Sequence, residues 1–467
     1  MDVIDDEGRL FGVVNVVDAL VVLLVLAVVV AGAGLVFGGS DTGDQSPDTA
    51  TTHVMLDLGT QPAFVVEGLN EGDTYSPGGN SQLTITDVHF TPRDGDIRAV
   101  VRARLEGQPN DNSITYDGAP PRLGRTLTIA TNRYQVEGQI RAVGTGDALA
   151  RTEPTVVLRA TMAAPEARAL AAGDEIRVAG RTVATIDDVA VYAADDPDQR
   201  LVYLQTSLAT HSVRGEPRFG GQPVRAGQFI TLPGDGYTVA GTIERVGTGL
   251  ARDDVDVLLQ ETVDVETADR LAEDDAIVVA GATTATVEHV ALYGTANPDR
   301  KRAFVGLSLS TVGHGDRPQF GATPVQPGRD LTIRTPEYTL TGPIERVGHL
   351  QQRGTPATRT VTLRIEGIRE EFASAIEPGM IEQVEGQTVA EVTDVRVEPT
   401  TVVVTGDCGN FSVYDHPYNR DVTVTAEIQV RETTSGPRFK GESIRQRDTI
   451  TLDLDSISLR GTVVSVR

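Results

Sequence analysis

Histidine and cysteine are the residues of this chain best suited to chemistry, but their spacing builds no recognisable site. The one cysteine, Cys408, can form neither an internal disulfide nor a thiolate metal site. None of the seven histidines lies four positions from another, as a helical zinc motif requires. His211 and His314 each precede a Pro-x-Phe turn, where we expect exposed loop histidines instead of metal ligands. The sequence therefore predicts no catalytic residue, no metal and no cofactor.

Acidic residues recur at one position of a repeated segment, at Asp87, Asp188 and Asp394, with His289 in the remaining copy. Hydrolysis of a glycoside by general acid–base catalysis needs two carboxylates held about 5–10 Å apart, and one acid per copy does not supply such a pair. Alternation along the strand places these acids on its solvent face. We therefore interpret them as solvated charges.

Three loops resemble ligand-binding motifs without completing them. Gly144–Gly146 and Gly247–Gly249 lack the third glycine and the following helix that aim backbone N–H groups at a phosphate, which indicates hairpin loops. Asp195–Asp198 could supply calcium ligands, but the matching loop Asn297–Arg300 keeps only one carboxylate, Asp299, which favours a turn.

The clearest departure from the repeats is an inserted loop over residues 405–419. It gathers Phe411, Tyr414, His416 and Tyr418 in a chain whose aromatic content is only 4%. Exposed aromatic residues on loops often carry recognition, so these four are the candidate binding residues. A loop packed against its own domain is the alternative.

The elements that would position these residues belong to an acidic, strand-rich chain. Its 467 residues carry a net charge of −25 and include only two lysines, Lys301 and Lys440. So acidic a surface repels nucleic acid and anionic lipid headgroups, which argues against both as partners. An acid excess with almost no lysine favours a protein kept soluble in concentrated salt, as in a halophilic archaeon. An ordinary acidic protein from a GC-rich genome is the alternative.

Residues 19–39 contain no charged residue, and as a helix they would cover about 31 Å, close to a hydrocarbon core of about 30 Å. The sequence therefore predicts a transmembrane helix that contacts the lipid bilayer. A cleaved signal peptide is the alternative, because Ala31–Ala33 resembles a cleavage site. Arg9 precedes the run and no basic residue follows before Arg93. The positive-inside rule accordingly predicts a cytoplasmic N-terminus and an extracellular C-terminal region.

The opening of the chain, Asp5–Gly12 followed by Val13–Asp18 and the apolar run, resembles an uncharacterised prokaryotic family, domain-of-unknown-function family forty-three-thirty. The resemblance covers about the first 40 residues. It implies a short cytoplasmic start, one membrane helix and an extracytoplasmic β-rich domain, and it implies no activity.

Beyond a linker predicted over residues 40–66, the chain repeats at a period of about 100 residues. One repeated segment has apolar residues alternating around a central glycine, which indicates a strand with a bend or bulge at the glycine. A second combines a turn, an aromatic residue and a strand, and a third is another strand. The copies of the first segment are Tyr134–Gly146, Tyr237–Gly249, Tyr338–Leu350 and Ile457–Val466; those of the second are Leu123–Ile129, Pro217–Leu232, Pro318–Ile333 and Pro437–Leu452; those of the third are Leu83–Phe90, Thr182–Tyr192, Thr283–Tyr293 and Thr388–Val397.

These patterns predict a mainly β fold, in which an N-terminal transmembrane helix precedes four tandem small β-barrel-like repeats with short linking helices. About five or six strands per repeat suit a small closed or half-closed barrel, which hides sheet edges. The predicted helices are Pro165–Ala172, Glu266–Leu271 and Ile368–Ile376. The predicted divisions are a cytoplasmic N-terminus (1–18), the membrane helix (19–39), the linker (40–66) and repeats at 67–173, 174–275, 276–379 and 380–467.

The sequence favours a non-enzymatic, single-pass protein of the cell envelope. Its extracellular β domains would bind an envelope protein or glycan, or space the parts of an assembly. A membrane-tethered enzyme acting on an extracellular polymer, with its site in clefts between repeats, is one alternative. An accessory subunit of an envelope export complex is another.

Overall fold

Four sheets of one topology make up most of the protein. The computed structural model describes residues 9–10, 14–15, 49–93, 95–111, 113–314, 317–384, 386–405, 411–454 and 457–467. We divide the chain by sheet membership into unit 1 (residues 50–144), unit 2 (151–246), unit 3 (252–347) and unit 4 (355–466). A short antiparallel pair, β1 (Arg9–Leu10) and β2 (Val14–Asn15), precedes them.

The elements of the first two units follow one plan. Those of unit 1 are β3 (Ala50–Gln61), α1 (Ala63–Gly68), β4 (Thr74–Gly78), β5 (Ser81–Arg93), β6 (Asp96–Asn110), β7 (Ser113–Thr115), β8 (Thr126–Ala130) and β9 (Gln135–Gly144). Those of unit 2 are β10 (Arg151–Thr152), β11 (Thr155–Ala163), α2 (Ala164–Ala169), β12 (Glu175–Val178), β13 (Arg181–Ala193), β14 (Gln199–Leu208), β15 (Thr210–Val213), β16 (Glu216–Phe219), β17 (Gln222–Pro223), β18 (Phe229–Pro233) and β19 (Thr238–Val246).

The last two units repeat that plan. The elements of unit 3 are β20 (Arg252–Asp264), α3 (Val265–Ala268), β21 (Ala276–Val279), β22 (Ala282–Gly294), β23 (Arg300–His314), β24 (Arg317–Phe320), β25 (Thr323–Pro324), β26 (Asp330–Arg334) and β27 (Thr339–Val347). Those of unit 4 are β28 (Thr355–Arg369), α4 (Glu370–Ser374), β29 (Ile381–Val384), β30 (Gln387–Thr405), β31 (Phe411–Thr433), β32 (Gly436–Phe439), β33 (Glu442–Ser443), β34 (Thr449–Leu454) and β35 (Ile457–Val466).

Each sheet is antiparallel, with its main strands in the same spatial order. The orders are β4-β5-β6-β3-β9-β8, β12-β13-β14-β11-β19-β18, β21-β22-β23-β20-β27-β26 and β29-β30-β31-β28-β35-β34. The edge strands β12 and β18 of unit 2 lie in contact, as do β29 and β34 of unit 4, so the sheets curl towards closure. The mainly β class and the barrel-like repeats predicted from the sequence are confirmed.

Alternating apolar residues fill the interior of each barrel. A β-bulge at one equivalent position in each unit determines which side chains beyond it face inward. In β5 the pairing with β6 shifts between Ile85 and Asp87, and Val88 then enters the core. Equivalent shifts occur in β13, β22 and β30. A bulge adds one unpaired residue, so Asp87 and alternate residues beyond it face outward. Units 3 and 4 each enclose their own core, whereas the cores of units 1 and 2 are continuous.

The central glycine of the repeated strand permits a close approach of two backbones. A Cβ atom on Gly241 would lie 2.7 Å from the carbonyl oxygen of Arg159, and one on Gly342 would lie 2.9 Å from that of Gln260. The bulge in the same strand pair falls three residues beyond Gly241, where β19 carries Glu244 unpaired opposite β11. The predicted bend or bulge at the glycine is therefore wrong in position.

A tyrosine–aspartate hydrogen bond ties the last strand to the helix in three of the units. Tyr237 Oη donates to Asp174 Oδ2 at 2.8 Å, and the same carboxylate oxygen accepts the backbone N–H of Ala171 in the turn after α2. The bond recurs between Tyr134 and Asp73 and between Tyr338 and Asp275. Unit 4 has Met380 and Ile457 at these two positions, both packed against its core. An apolar pair thus replaces the polar pair as a whole.

The predicted transmembrane helix is absent from the described fold. The longest described helices have six residues, or about 9 Å at ~1.5 Å per residue, against a hydrocarbon core of about 30 Å. Within the described ranges no helix is long and apolar enough to span a membrane. The predicted span, residues 19–39, and most of the predicted N-terminal stretch 1–18 lie outside the described residues. The fold class is corrected to mainly β, with no membrane-spanning helix among the described residues.

The helices and the linker also differ from the prediction. Helices α2, α3 and α4 join the first and second main strands of one unit instead of linking neighbouring units, and α1 does the same in unit 1. Residues 50–66 of the predicted linker form β3 and part of α1, because Val54, Leu56 and Leu58 alternate into the core. The predicted divisions after the helices consequently assign the first strand of units 2, 3 and 4 to the preceding repeat, whereas each strand pairs inside its own sheet.

Replacing Tyr237 with Phe is expected to lower the free energy of unfolding of unit 2 by about 1–2 kcal/mol. The substitution keeps the buried ring but removes a hydrogen bond to a carboxylate, and such bonds contribute more than neutral ones. Urea unfolding followed by circular dichroism measures the change.

The double variant Asp174→Met and Tyr237→Ile copies the pair found in unit 4 and serves as the matched control. It is expected to be more stable than Tyr237→Ile alone, because no carboxylate is left without its donor. Equal stabilities for these two variants would contradict the assignment.

Candidate binding cleft at the first junction

Each unit after the first reaches back to its predecessor through an extension of its fourth main strand. We call this extension the clasp: residues 210–224 in unit 2, 311–325 in unit 3 and 430–444 in unit 4. In each clasp a hairpin carries the Pro-x-Phe turn predicted from the sequence. The turn is closed by a backbone hydrogen bond to the proline carbonyl, donated by Val224, Val325 or Ile444 at 2.9–3.0 Å.

One carbonyl of the clasp accepts a hydrogen bond from the preceding unit at every junction. The carbonyl belongs to the residue after the phenylalanine. At the first junction Arg93 donates to Gly220 at 3.0 Å, at the second Tyr203 donates to Gly321 at 3.0 Å, and at the third Arg302 donates to Lys440 at 3.1 Å. The donor changes while the acceptor keeps its place, so the clasps dock in the same manner.

The outward-facing residues beyond the bulge determine which side chains contact each clasp. Strand pairing places His89 opposite Val100 in unit 1, Ala190 opposite Tyr203 in unit 2 and Ala291 opposite Phe304 in unit 3, at equivalent positions. The first junction therefore has a histidine and a small aliphatic residue where the other two have alanine and a large aromatic ring.

Aromatic rings fill the second junction. Tyr192 lies edge-on to Phe320 of the clasp, with ring centroids 5.4 Å apart, and to Tyr203 at 6.1 Å. Tyr192 also donates to the Ser310 carbonyl at 3.0 Å. Edge-to-face pairs contribute about 0.5–1.5 kcal/mol each beyond the area they bury. The cavity left beside this clasp measures about 210 Å³.

The first junction leaves an open cleft of about 700 Å³. Val100, Met55 and Val213 form part of an apolar floor, and Leu123 is exposed at the rim. A volume of this size is within the range of about 300–1,000 Å³ usual for ligand sites. The cleft is therefore the candidate binding site of the molecule.

Four arginines and two carboxylates line this cleft. Arg98 Nη2 lies 2.5 Å from Asp57 Oδ2, and Arg141 shares that oxygen at 3.4 Å. Arg218 donates to the Gly221 carbonyl at 3.0 Å and lies 3.3 Å from Glu216, which Arg225 outside the cleft also binds. The fourth arginine is Arg214, which is exposed. Positive charge exceeds negative charge here although the whole chain carries −25.

A buried histidine pair closes the inner end of the junction. His89 and His211 are only 6% and 4% exposed, with ring centroids 5.1 Å apart. Burial, followed by repulsion from His211 and from nearby arginines, lowers the pKa of His89 to about 3. Burial also lowers the pKa of His211 to about 4, against the opposing attraction of Asp57. The predicted exposure of His211 to water is therefore wrong, and the side chain of His314 is outside the described residues.

The recurring acidic position is also part of the junction. Asp87 is 7% exposed, accepts the backbone N–H of Leu149 at 2.8 Å and pairs with Arg151 of unit 2. Asp188 pairs with Arg252 of unit 3 at 2.6 Å. The interpretation of these acids as solvated charges is wrong for Asp87, because the outer face of unit 1 is covered by the next unit.

The loop at Gly144–Gly146 presents carbonyl oxygens, not N–H groups. Arg102 donates to the carbonyls of Gly144, Thr145 and Gly146 at 3.0–3.3 Å. The segment continues from β9 towards unit 2, so it is a connection between units instead of the predicted hairpin loop.

The four candidate binding residues lie far along unit 4, in a ribbon formed where β30 and β31 extend beyond the barrel. Val403 pairs with Val413 and Val402 with Tyr414, and Tyr414 and Tyr418 are 60% and 72% exposed. His416 Nδ1 accepts the backbone N–H groups of Tyr418 and Asn419. Phe411 begins β31, and Cys408 is outside the described residues. The structure does not bring this ribbon near the cleft residues.

Sequence reasoning missed His89, Val100 and the arginines of the cleft. The signal that could have found them is departure from the repeat: His89 aligns with two alanines, and Val100 aligns with two aromatic residues. This difference becomes visible when the fourth strands of the units are aligned with one another. That alignment depends on the position of the bulge, which cannot be read from the sequence of one unit alone.

The fold and its junctions define a class of protein: a tandem array of clasped, barrel-like β units with a cleft at the first junction. The chain belongs to the family described as Domain of unknown function (DUF4330), whose model matches residues 1–144 and 346–467. Residues 145–345, which the match leaves out, contain units 2 and 3 almost whole. No curated protein and no solved structure matches the chain.

Acidification is expected to weaken the first junction. Both histidines have folded-state pKa values below the unfolded value of about 6.5, so the unfolded chain binds more protons between pH 6.5 and 4, and stability falls as the pH is lowered through that window. The slope approaches about 1.4 kcal/mol per pH unit for each histidine. Calorimetric melting between pH 4 and 7.5 measures it.

The matched variant is His89→Ala with His211→Val, which copies the residues Ala190 and Val312 of the second junction. Between pH 6.5 and 4, the stability of this variant should fall much less steeply than that of the unmodified chain. The control His349→Ala removes an exposed histidine elsewhere and should keep the slope. If the melting temperatures of the unmodified chain, the double variant and His349→Ala depended on pH in the same way, the role of the histidine pair would be contradicted.

Proposed function

We propose that the protein is a non-enzymatic scaffold that holds binding surfaces at fixed spacing along an array of β units. The observation that carries this proposal is the hydrogen-bonded clasp carbonyl, which recurs at Gly220, Gly321 and Lys440. A repeat array held by the same contact at each junction resists bending more than domains joined by free linkers.

Side-chain contacts across the junctions support a fixed arrangement. Lys301 of unit 3 lies 2.5 Å from Asp453 of unit 4, and Arg302 lies 2.6 Å from Glu442. Such pairs contribute little individually at a surface. Here they matter for geometry, because each ion pair restricts the relative position of two units whose junction is already packed by aromatic rings.

Two surfaces support a binding role. One is the cleft at the first junction, and the other is the ribbon of unit 4, where Val403, Val413, Tyr414 and Tyr418 leave large apolar side chains exposed. Exposed aromatic residues near one another are typical of protein recognition. These surfaces lie on the first two units and on the last unit, so a rigid array would set the distance between their partners.

Spin labels on units 1 and 4 test the proposal. Asp96→Cys and Glu427→Cys, introduced with Cys408→Ser, place labels at exposed positions, and pulsed electron paramagnetic resonance measures their separation. A single narrow distance distribution is expected. Phe320→Ala should broaden it, because this ring packs on Tyr192 of the preceding unit.

Phe372→Ala is the matched control, because Phe372 is 57% exposed and lies outside every clasp. It should leave the distribution narrow. A broad distribution in the protein with intact clasps would refute the rigid scaffold.

An envelope location stays a prediction from the sequence. Labelling of Cys408 in intact cells by a membrane-impermeant maleimide would support it. Labelling only after lysis, with denatured protein as the control for a buried thiol, would contradict it.

A further inference from the structure

We propose that the cleft at the first junction binds an acidic sugar, with its carboxylate on the arginines and its ring over the apolar floor. This ligand class goes beyond the scaffold role and does not depend on it.

The charge of the cleft suits one or two carboxylates. Asp57 is shared by Arg98 and Arg141, which leaves these two guanidinium groups only partly neutralised. Glu216 is likewise shared, by Arg218 and Arg225. Guanidinium groups bind planar carboxylates through two parallel hydrogen bonds, so an anion entering here finds donors that the protein has not saturated.

Unpaired polar atoms in the wall point to a missing partner. Arg98 Nε, Arg218 Nε and His211 Nδ1 are buried and have no hydrogen-bond partner in the described part of the chain. Buried polar nitrogens are rarely left unpaired in folded proteins. Three such atoms on residues lining one cleft show that the polar groups of its wall are not fully paired by the described residues.

The two acids favour a sugar over a simple anion. Asp57 and Glu216 would repel a ligand that carries only negative charge, but they accept hydrogen bonds from hydroxyl groups. A sugar acid has both features: one carboxylate for the arginines and several hydroxyl donors for the acids. The apolar floor at Met55 and Val100 suits the C–H face of a sugar ring.

The shape of the cleft is particular to this junction. At the second junction Tyr203 occupies the position of Val100 and fills the space. At the third junction a cleft of about 800 Å³ lies beside the clasp and is lined by Arg302, Arg438, Lys440 and Arg460, of which the first three hold hydrogen-bond partners. Of these junctions, the first combines open space with three buried nitrogens that lack a partner in the described residues, whereas the lining of the third has one, Arg302 Nε.

Titration calorimetry of the full-length chain with a trimer of galacturonic acid tests the proposal. Binding is expected, and the neutral glucose trimer should give no heat. The double variant Arg141→Gln and Arg214→Gln should weaken binding at least tenfold, because it removes two cations while leaving Arg98 and Arg218 in their contacts. Arg168→Gln, at an exposed position on α2, is the matched control and should bind as the unmodified chain does.

Val100→Tyr provides an independent arm, because it introduces the residue that unit 2 carries at the same position. It should abolish binding by filling the cleft, while circular dichroism and the melting temperature show that the fold is kept. Absence of trimer binding, or trimer binding by Val100→Tyr or by the arginine variant as tight as that of the unmodified chain, would overturn the proposal. Citrate binding as tightly as the trimer would assign the site to free organic acids and overturn the sugar assignment.

Discussion

The backbone carbonyl that follows the clasp phenylalanine is the contact on which the arrangement of the molecule depends. A backbone acceptor does not change with the side chain, so Gly220, Gly321 and Lys440 can hold the same place although Lys440 differs in type. The preceding unit is free to supply any donor that reaches this point. Two arginines and one tyrosine do so, which lets the outer face of each unit vary while the docking geometry stays constant.

Because the docking contact is constant, the junctions differ in the side chains that surround it. A tyrosine at position 203 both bonds the clasp and fills the space beside it. In unit 1 these two tasks are separated, because Arg93 bonds the clasp and Val100 leaves the space open. The cost is a junction with less apolar contact and with buried histidines that must stay neutral. That cost is consistent with a cleft retained for a ligand.

The repeat and the β class of each unit can be predicted from the sequence, because both depend on local patterns of residues. Alternating apolar residues predict strands, and the recurrence of Pro217, Pro318 and Pro437 predicts the same turn in three units. Predicting which face of a strand is covered needs the position of the next unit, and this is a long-range property. For that reason the sequence predicts that Asp87 and His211 face solvent, although the structure buries both.

The divisions between units failed for a related reason. A short helix followed by Gly or Pro is typical of a boundary, but here the helix connects the first strand, at the centre of the sheet, to the second, at its edge. Only pairing between distant strands shows that β11 belongs with β14 and β19 and not with the strands before it. The same reasoning explains why the sequence predicts a linker where β3 lies, since the partners of β3, β6 and β9, lie far along the chain.

The ends of the array explain how units can be added to it. In unit 1 the position of the clasp is occupied by β7 and Tyr116, which pack into the unit's own core. In unit 4 the outer face that would receive a clasp carries Arg396 and Glu398, exposed and paired at 2.7 Å.

Terminal repeats with polar outer faces are what a finite repeat array requires. Units 2 and 3 alone have both a clasp and a receiving face, and they occupy the interval between the two stretches that match the family. An interior unit joins one clasp to one receiving face, so adding or removing it leaves matched contacts at both ends. The length of the array can therefore change by whole units while the end units keep their structures, although the cleft also requires the clasp of the unit that follows unit 1.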